Sequence, residues 1–284
     1  SAHVGYGDGW PAGAHLLDEE VAAFRDRTLD HVEFPYVFVD ATYLNGRKDH
    51  RVVSRAVVVA TGVAADGNRE VLDLDVGDTE DEVFWTQFLR RLRKRGLGGV
   101  KLVISDAHSG LVTSIRKTMG GVSWQRCRVH FMRNLLARVP RGHAEMVAAT
   151  IRTIFAQPDH PTATTQLRLV VEQLQPLAPK VAVLLEGMEA DLLAYTAFPD
   201  AHWSKIWSNN PIKRLNRELK RRTDVVGIFP DDASVIRLVG AVLLEQHDEW
   251  AVAERRYLSE ESMALIDQHL QEVNTTEQPE LPAA

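Results

Sequence analysis

Two aspartates, each delivered by a short apolar run, are the residues of this sequence best suited to do chemistry. Asp40 sits in residues 34–43 (FPYVFVDATY), at or near the end of a run rich in Val, Phe and Tyr, and Asp106 closes residues 100–105 (VKLVIS). Such runs read as buried strands. An isolated carboxylate is costly to bury, so one carried there needs a hydrogen-bond donor, a counter-charge or a metal. Two strands that each bring an Asp to one sheet edge would form a site for a hard cation, since Mg²⁺ prefers carboxylate oxygens. Blander roles exist for both residues: Asp40 as a strand-end Asp bonded to a turn, and Asp106 as a helix cap, because Ser105-Asp106 precedes a helical pattern. A phosphatase with an aspartyl nucleophile would want a second Asp two residues after the first, and Asp40-Ala41-Thr42 lacks one.

The elements that must position these residues follow from the apolar spacing. After the Asp40 strand, Asn45-Gly46 is a turn signal, residues 51–63 read as a second strand, residues 65–68 (ADGN) as a hairpin turn, and residues 70–76 (EVLDLDV) alternate like a half-exposed third strand. Residues 78–80 offer a cap for a helix that carries Val83, Phe84, Phe88, Leu89 and Leu92 up to Gly96. The Asp106 strand, a helix over residues 109–119, a Gly120-Gly121 stop and a fifth strand at 122–126 complete a mixed α/β sheet of five strands. Residues 129–195 contain helical patterns punctuated by prolines and no convincing strand. A loop with Trp203 and Trp207 leads to Asn209-Asn210-Pro211, a good helix start. A last amphipathic helix spans roughly residues 231–257, and the composition then drifts toward disorder. The expected organisation is an unstructured start (1–15), the first part of the core (16–128), a helical insertion (129–208), C-terminal helices that complete the core (209–258) and a largely disordered tail (259–284).

Composition and charge bound the function classes. The chain of 284 residues carries 33 Lys plus Arg against 39 Asp plus Glu, a net charge of −6, and at first sight this argues against a nucleic-acid partner. The distribution says otherwise. Acidic residues crowd the two ends, while residues 213–222 (KRLNRELKRR) hold Lys213, Arg214, Arg217, Lys220, Arg221 and Arg222 against Glu218 alone. A local basic patch of this kind attracts a phosphate backbone. Residues 90–95 (RRLRKR) read instead as a solvated helix face. No apolar run approaches membrane-spanning length and no signal peptide is visible. The single cysteine, Cys127, excludes an internal disulfide and makes a reducing cytoplasm the default. Cys127 and His130 form at most half a zinc site; Cys127 reads as a buried small side chain and His130 as a neighbour of the sheet's active edge, while His108, two residues past Asp106, reads as a solvated loop residue or, alternatively, as a contact to substrate.

The segments FPYVFVDATY, SRAVVVATGV, LVISDAHSGL, WQRCRVHFMRN, HWSKIWSNNP, RLNRELKRRT and VVGIFP, in this order, together resemble the transposases of the Mutator-type bacterial insertion sequences, from about Asp18 to about Leu265. The resemblance implies a DDE transposase. Such an enzyme has a ribonuclease H-like fold, three carboxylates that bind two divalent ions (Mg²⁺ or Mn²⁺), and a helical insertion between the second carboxylate and the third. It implies double-stranded DNA as partner, both transposon ends and target, a homodimer on DNA, and a nucleoid-associated cytoplasmic protein. Asp40 and Asp106 match the first two acids, and Cys127 with His130 a Cys-x-x-His signature. The family pattern Asn-x-x-Glu-Arg-x-Asn expects its third acid where this chain has Lys213, in residues 210–216 (NPIKRLN). Glu218 is the only carboxylate of that helix segment, and five residues place it about 140° around the helix from Lys213. Either Glu218 is the third ligand or the chain is an inactive copy that folds and binds DNA. The basic helix is expected to contact phosphates, and Trp203 and Trp207 to anchor the core or stack on a DNA base.

Phosphodiester transfer by in-line attack builds charge on the entering and leaving oxygens, and two ions about 3.5–4 Å apart stabilise both. Without metal the carboxylates would repel one another. The Val-rich strands supply the rigidity this demands.

Overall fold

The structure, a computed structural model, describes residues 12–78 and 81–277. Helix α1 (Ala12–Asp26) precedes a meander of β1 (Tyr36–Lys48), β2 (Arg51–Val63) and β3 (Arg69–Gly77), followed by α2 (Glu82–Lys94), β4 (Leu102–Ser105), α3 (Ser109–Thr118) and β5 (Ser123–Arg126). The sheet order is β3-β2-β1-β4-β5, antiparallel on the β2 side of β1 and parallel on the β4 side.

Strand β1 is longer than its sequence suggests. It runs eight residues past Asp40, so this carboxylate lies in mid-strand and not at a strand end. Asn45-Gly46 makes no turn; the β1–β2 ladder continues to Lys48 opposite Arg51, and the reversal falls on Asp49 and His50, both at positive φ (49° and 63°). A two-residue turn with both residues left-handed matches the twist of the flanking strands. Gly46 is needed for space instead: a Cβ there would stand 2.9 Å from Arg55 Cγ, and Arg55 crosses this point to reach Asp232.

The insertion is helical, as the proline-punctuated patterns predict: α4 (Arg128–Leu136), α5 (Ala144–Arg152), α6 (His160–Leu174), α7 (Pro179–Glu186), α8 (Glu189–Leu193) and α9 (Asp200–Ile206). Then come α10 (Asn210–Val226), a two-residue strand β6 (Ile228–Phe229), and α11 (Asp232–Ala251). Strand β6 has no counterpart among the expected strands. It pairs in parallel with Asn45 and Gly46 on the same edge of β1 that β4 occupies only from Tyr36 to Val39. Residues 40–44 therefore form a gap in that edge, at the carboxyl end of β4, where ligand crevices of parallel strands open.

Alternation along β1 divides the core. Val37 and Val39 pack with Trp85, Phe88 and Leu89 of α2 and Leu111 and Ile115 of α3. Tyr36 and Phe38 face the other way, into a cluster built with Leu102, Ile104 and the insertion. Leu215 and Leu219 of α10 and Val235 and Val239 of α11 cover Val57 and Val59 of β2. Full burial of each such side chain contributes about 1.5–3 kcal/mol, enough to hold β1 and β4 rigid beneath the two aspartates.

Three further expectations need correction. Residues 12–15, expected to be unstructured, lie in α1; residues 1–11 and the cap residues 79–80 are outside the described part, and the cap of α2 is Asp81, which accepts from Phe84 N. The tail expected to be disordered forms α12 (Glu260–Met263) and α13 (Ile266–Glu277), because Leu258, Met263 and Ile266 bury themselves against the insertion's core. The basic run at residues 90–95 is not simply a solvated face: Arg91 and Arg95 turn onto β3, where Asp73 is fully buried between them. Among the described residues no helix is long and apolar enough to cross a membrane.

Candidate active site

Val39 of β1 pairs with Ser105 of β4 in parallel register, so Asp40 and Asp106 occupy the next matching positions on neighbouring strands. By the same alternation both share the face of Tyr36, Phe38, Leu102 and Ile104. They line one cleft of about 380 Å³, together with Tyr43, Trp85, His108, His130, Arg133 and Asn134. Asp40 Oδ2 accepts a 2.6 Å hydrogen bond from Asn216 Nδ2 of α10. Asp106 Oδ1 accepts from the Ala107 backbone N–H at 2.7 Å, and its other oxygen lies 3.5 Å from His130 Nδ1.

The cleft's walls are tied together by residues that do not enter it. Cys127, buried at the start of α4, donates its backbone N–H to Ser105 O, while its Sγ accepts from the Asn209 backbone N–H at 3.3 Å. Asn209 Nδ2 donates to Val39 O at 3.2 Å, immediately before Asp40. One cysteine and one asparagine thus lock the middle of β1 and the end of β4 to the starts of α4 and α10. Burial pushes the Cys127 thiol up, with the Asp40 charge adding to the effect, which suits a packing role. His130, three residues on, faces the cleft. Burial pulls it below the ordinary histidine range, partly opposed by Asp106 and reinforced by the positive charges of Arg133 and Lys213. His108, expected in solvent, is half-buried, with its ring 6.5 Å from that of Trp85.

The basic helix divides into two flanks. Asn216 faces Asp40; Lys213 lies one turn before it and Lys220 one turn after, all within about 60°. Glu218 is about 200° from Asn216. It is bound there to Arg221 (2.6 and 2.9 Å) and Arg222 (2.8 Å), and lines a separate cleft with Arg214, Arg217 and Glu245. These two guanidiniums hold its carboxyl down at about 2. As a third ligand beside Asp40 and Asp106, Glu218 is therefore misplaced: its helix phase turns it away. Among the described residues no group of three His, Cys, Asp or Glu side chains is disposed to hold a metal ion. The positive charge of the basic cluster is also less unopposed than its sequence suggests, because α11 brings Glu245 to Arg222 at 3.2 Å.

Trp203 and Trp207 belong to the insertion's packing and not to the cleft lining. Trp203 Nε1 donates to Phe198 O at 2.7 Å, Tyr195 meets both indoles edge to face, and Arg128 stacks on Trp207 at 4.5 Å. Residues that motif reasoning missed are Asn216, Asn209, Arg133 and Asn134. The first two had a signal in their spacing: Asn209 starts a helix that must approach β1, and Asn216, two turns along that helix, closes the motif over residues 210–216.

A family model described as "Transposase, Mutator family" matches residues 13–253. The transposase for insertion sequence element IS1081 of Mycobacterium tuberculosis is 48% identical over 266 residues, covering 94% of this chain and 63% of that protein. The transposase for IS256 in transposon Tn4001 of Staphylococcus aureus is 38% identical over 86% of this chain and 63% of its own length, and that for IS406 of Burkholderia multivorans is 41% identical over 84% and 61%. The chain thus spans about three fifths of the length of these relatives. A solved structure, the Drosophila P element transposase strand transfer complex, is similar over 93% of this chain and 78% of its own at 11% identity and a TM-score of 0.29, too slight a likeness to inform the fold. On the family match and these identities, the chain belongs to the Mutator family of transposases.

Proposed function

We propose that this chain is the catalytic region of a DDE-type transposase that cleaves and joins DNA at the ends of an insertion sequence, on a ribonuclease H-like core. The observation that carries the reading is the register match of Asp40 and Asp106 on adjoining parallel strands, both opening into one cleft. Mg²⁺ is commonly held by one or two carboxylates plus substrate phosphate oxygens, so this donor set fits one divalent ion, Mg²⁺ or Mn²⁺, between Asp40, Asp106 and a DNA phosphate. Bound there, the ion would stabilise charge on the phosphodiester oxygens. Asn216 orients Asp40, the backbone of Ala107 orients Asp106, and Asn209 with Cys127 keeps the two strands in step beside the aspartates. The donor set does not fit a second ion, because Glu218 faces away and Lys213 stands on the flank where a third acid is wanted. Transposon ends and target DNA are the partners of this reading, and a homodimer on DNA suits a reaction that joins two ends.

Lys213 favours a second reading, an inactive copy that folds and binds DNA. Nicking of supercoiled plasmid in Mg²⁺ or Mn²⁺ separates the two. Cleavage by the parent chain that disappears in Asp40→Asn and Asp106→Asn supports the enzyme. A silent parent and a Lys213→Glu variant that cleaves, again dependent on Asp40, support the inactive copy. Cleavage by the parent that survives both Asn substitutions would overturn the assignment of these aspartates.

A further inference from the structure

The cleft combines two carboxylates with fixed positive charge. Arg133 lines it, and Lys213 lies on the same flank of α10 as the Asn216 that binds Asp40, one helical turn before it. Both cations are exposed and, among the described residues, neither enters an ion pair. Both are close enough for their charge to bear on His130, whose Nδ1 lies 3.5 Å from Asp106. The other flank of α10 is different: Arg221 and Arg222 are engaged by Glu218 and Glu245. The cations still available near the aspartates are therefore those on the cleft side.

An ammonium is a compact point charge that binds phosphate without geometric demands. Placed beside two carboxylates it also offsets their mutual repulsion, the service a second metal ion would otherwise perform. We propose that Lys213 is the resident cation of this cleft: with Arg133 it receives a DNA phosphate beside Asp40 and Asp106, so that DNA is captured there without a divalent ion. This inference rests on the reading of DNA as the ligand.

The test is the affinity of the full chain for a fluorescein-labelled duplex, by anisotropy across a salt series, in EDTA and in millimolar Mg²⁺. The parent binds equally, within about twofold, in both. Lys213→Ala binds several-fold more weakly in EDTA, with a salt slope lower by about one, and Mg²⁺ restores much of the loss because an ion takes the vacated place. Lys213→Glu binds only when Mg²⁺ is present, and takes up Mn²⁺ several-fold more tightly than the parent by water-proton relaxation. Arg217→Ala, on the outer side of the helix, is the control: it weakens binding equally in EDTA and Mg²⁺. Lys213 is exposed, so its removal costs no core contact, and circular dichroism verifies the fold of each variant. A parent whose affinity rises tenfold or more with Mg²⁺, or a Lys213→Ala variant indistinguishable from the parent in EDTA, overturns the proposal while DNA binding stands. A parent that binds no duplex under any of these conditions overturns both the proposal and the DNA reading.

Discussion

Asn216 donates a 2.6 Å hydrogen bond to Asp40 Oδ2, and this contact fastens α10 to the middle of β1 in the gap between β4 and β6 along that edge. The acceptor is a partly buried carboxylate, and hydrogen bonds to charged groups contribute about 1.5–3 kcal/mol. Asn216→Ala is therefore expected to lower unfolding stability by about 1–2 kcal/mol, and to weaken any divalent-ion binding that depends on the orientation of Asp40. Urea denaturation with and without Mn²⁺ checks both effects. Asn216→Asp should be worse in EDTA than Asn216→Ala, since it sets a second carboxylate against Asp40.

Glu218 restrains Arg221 and Arg222 on the far flank of α10. Its carboxyl is held at about 2, so it stays charged across any working pH. Glu218→Gln releases the two guanidiniums and is expected to tighten duplex binding a few-fold at low salt, with a steeper salt dependence. Divalent-ion affinity should not change. A loss of Mn²⁺ binding in this variant would restore Glu218 as a ligand.

Trp203 and Trp207 hold Tyr195 between them, and Trp207 also carries Arg128 on its face. Buried Trp→Ala changes cost about 3–5 kcal/mol, and these rings are only partly buried, so each substitution is expected to cost on the order of 2–3 kcal/mol. Base stacking predicts something else: weaker DNA binding at unchanged stability. Thermal unfolding and duplex affinity measured on the same variant decide between them.

The aspartate pair was legible because period-two apolar runs fix which side chains share a sheet face, and a short run ending in Asp cannot bury that charge. The helix phase separating Glu218 from Lys213 was equally legible, since Asn209 sets where α10 begins. What stayed hidden is non-local. The Asn45-Gly46 turn signal loses to a ladder that β2 and β6 hold from both sides. Strand β6 has two residues, too few for any periodicity. Glu245 lies on another helix, so no reading of residues 213–222 reveals that it neutralises Arg222. Residues 260–277 are polar in composition, yet Met263 and Ile266 suffice to dock them on the insertion.

Asp73 has no exposed surface and is bound by Arg91 at 2.8 Å and Arg95 at 3.1 Å, with Arg25 at 3.9 Å. Removal of one partner from a buried ion pair typically costs about 3–5 kcal/mol, because the remaining charges are left uncompensated. Asp73→Ala strands three guanidiniums against β3 and is expected to fall at the upper end of that range. Arg25→Ala, which removes the most distant contact, should cost clearly less. The ordering is read from urea midpoints; an Asp73→Ala loss no larger than that of Arg25→Ala would mean the cluster adds little.

His202 of α9 sits fully buried between Tyr36 of β1, whose hydroxyl is 2.7 Å from Nδ1, and Ser262 of α12, whose hydroxyl is 2.9 Å from Nε2. It joins the sheet, the insertion and the C-terminal segment. Burial pushes it down to about 4, with the charge of His269 acting in the same direction and Asp200 opposing. An unfolded histidine titrates near 6.5, so between about 6.5 and 4 the unfolded chain takes up a proton that the folded chain refuses. Stability from this group is complete above that interval and is lost as pH falls through it, by up to roughly 3 kcal/mol. His202→Asn should unfold more easily at neutral pH yet show a flatter dependence on pH over this window, and Tyr36→Phe should keep the slope while losing one hydrogen bond. Urea midpoints collected from neutral pH to about 4.5 test this directly, and equal slopes in the parent and His202→Asn would remove His202 as the source.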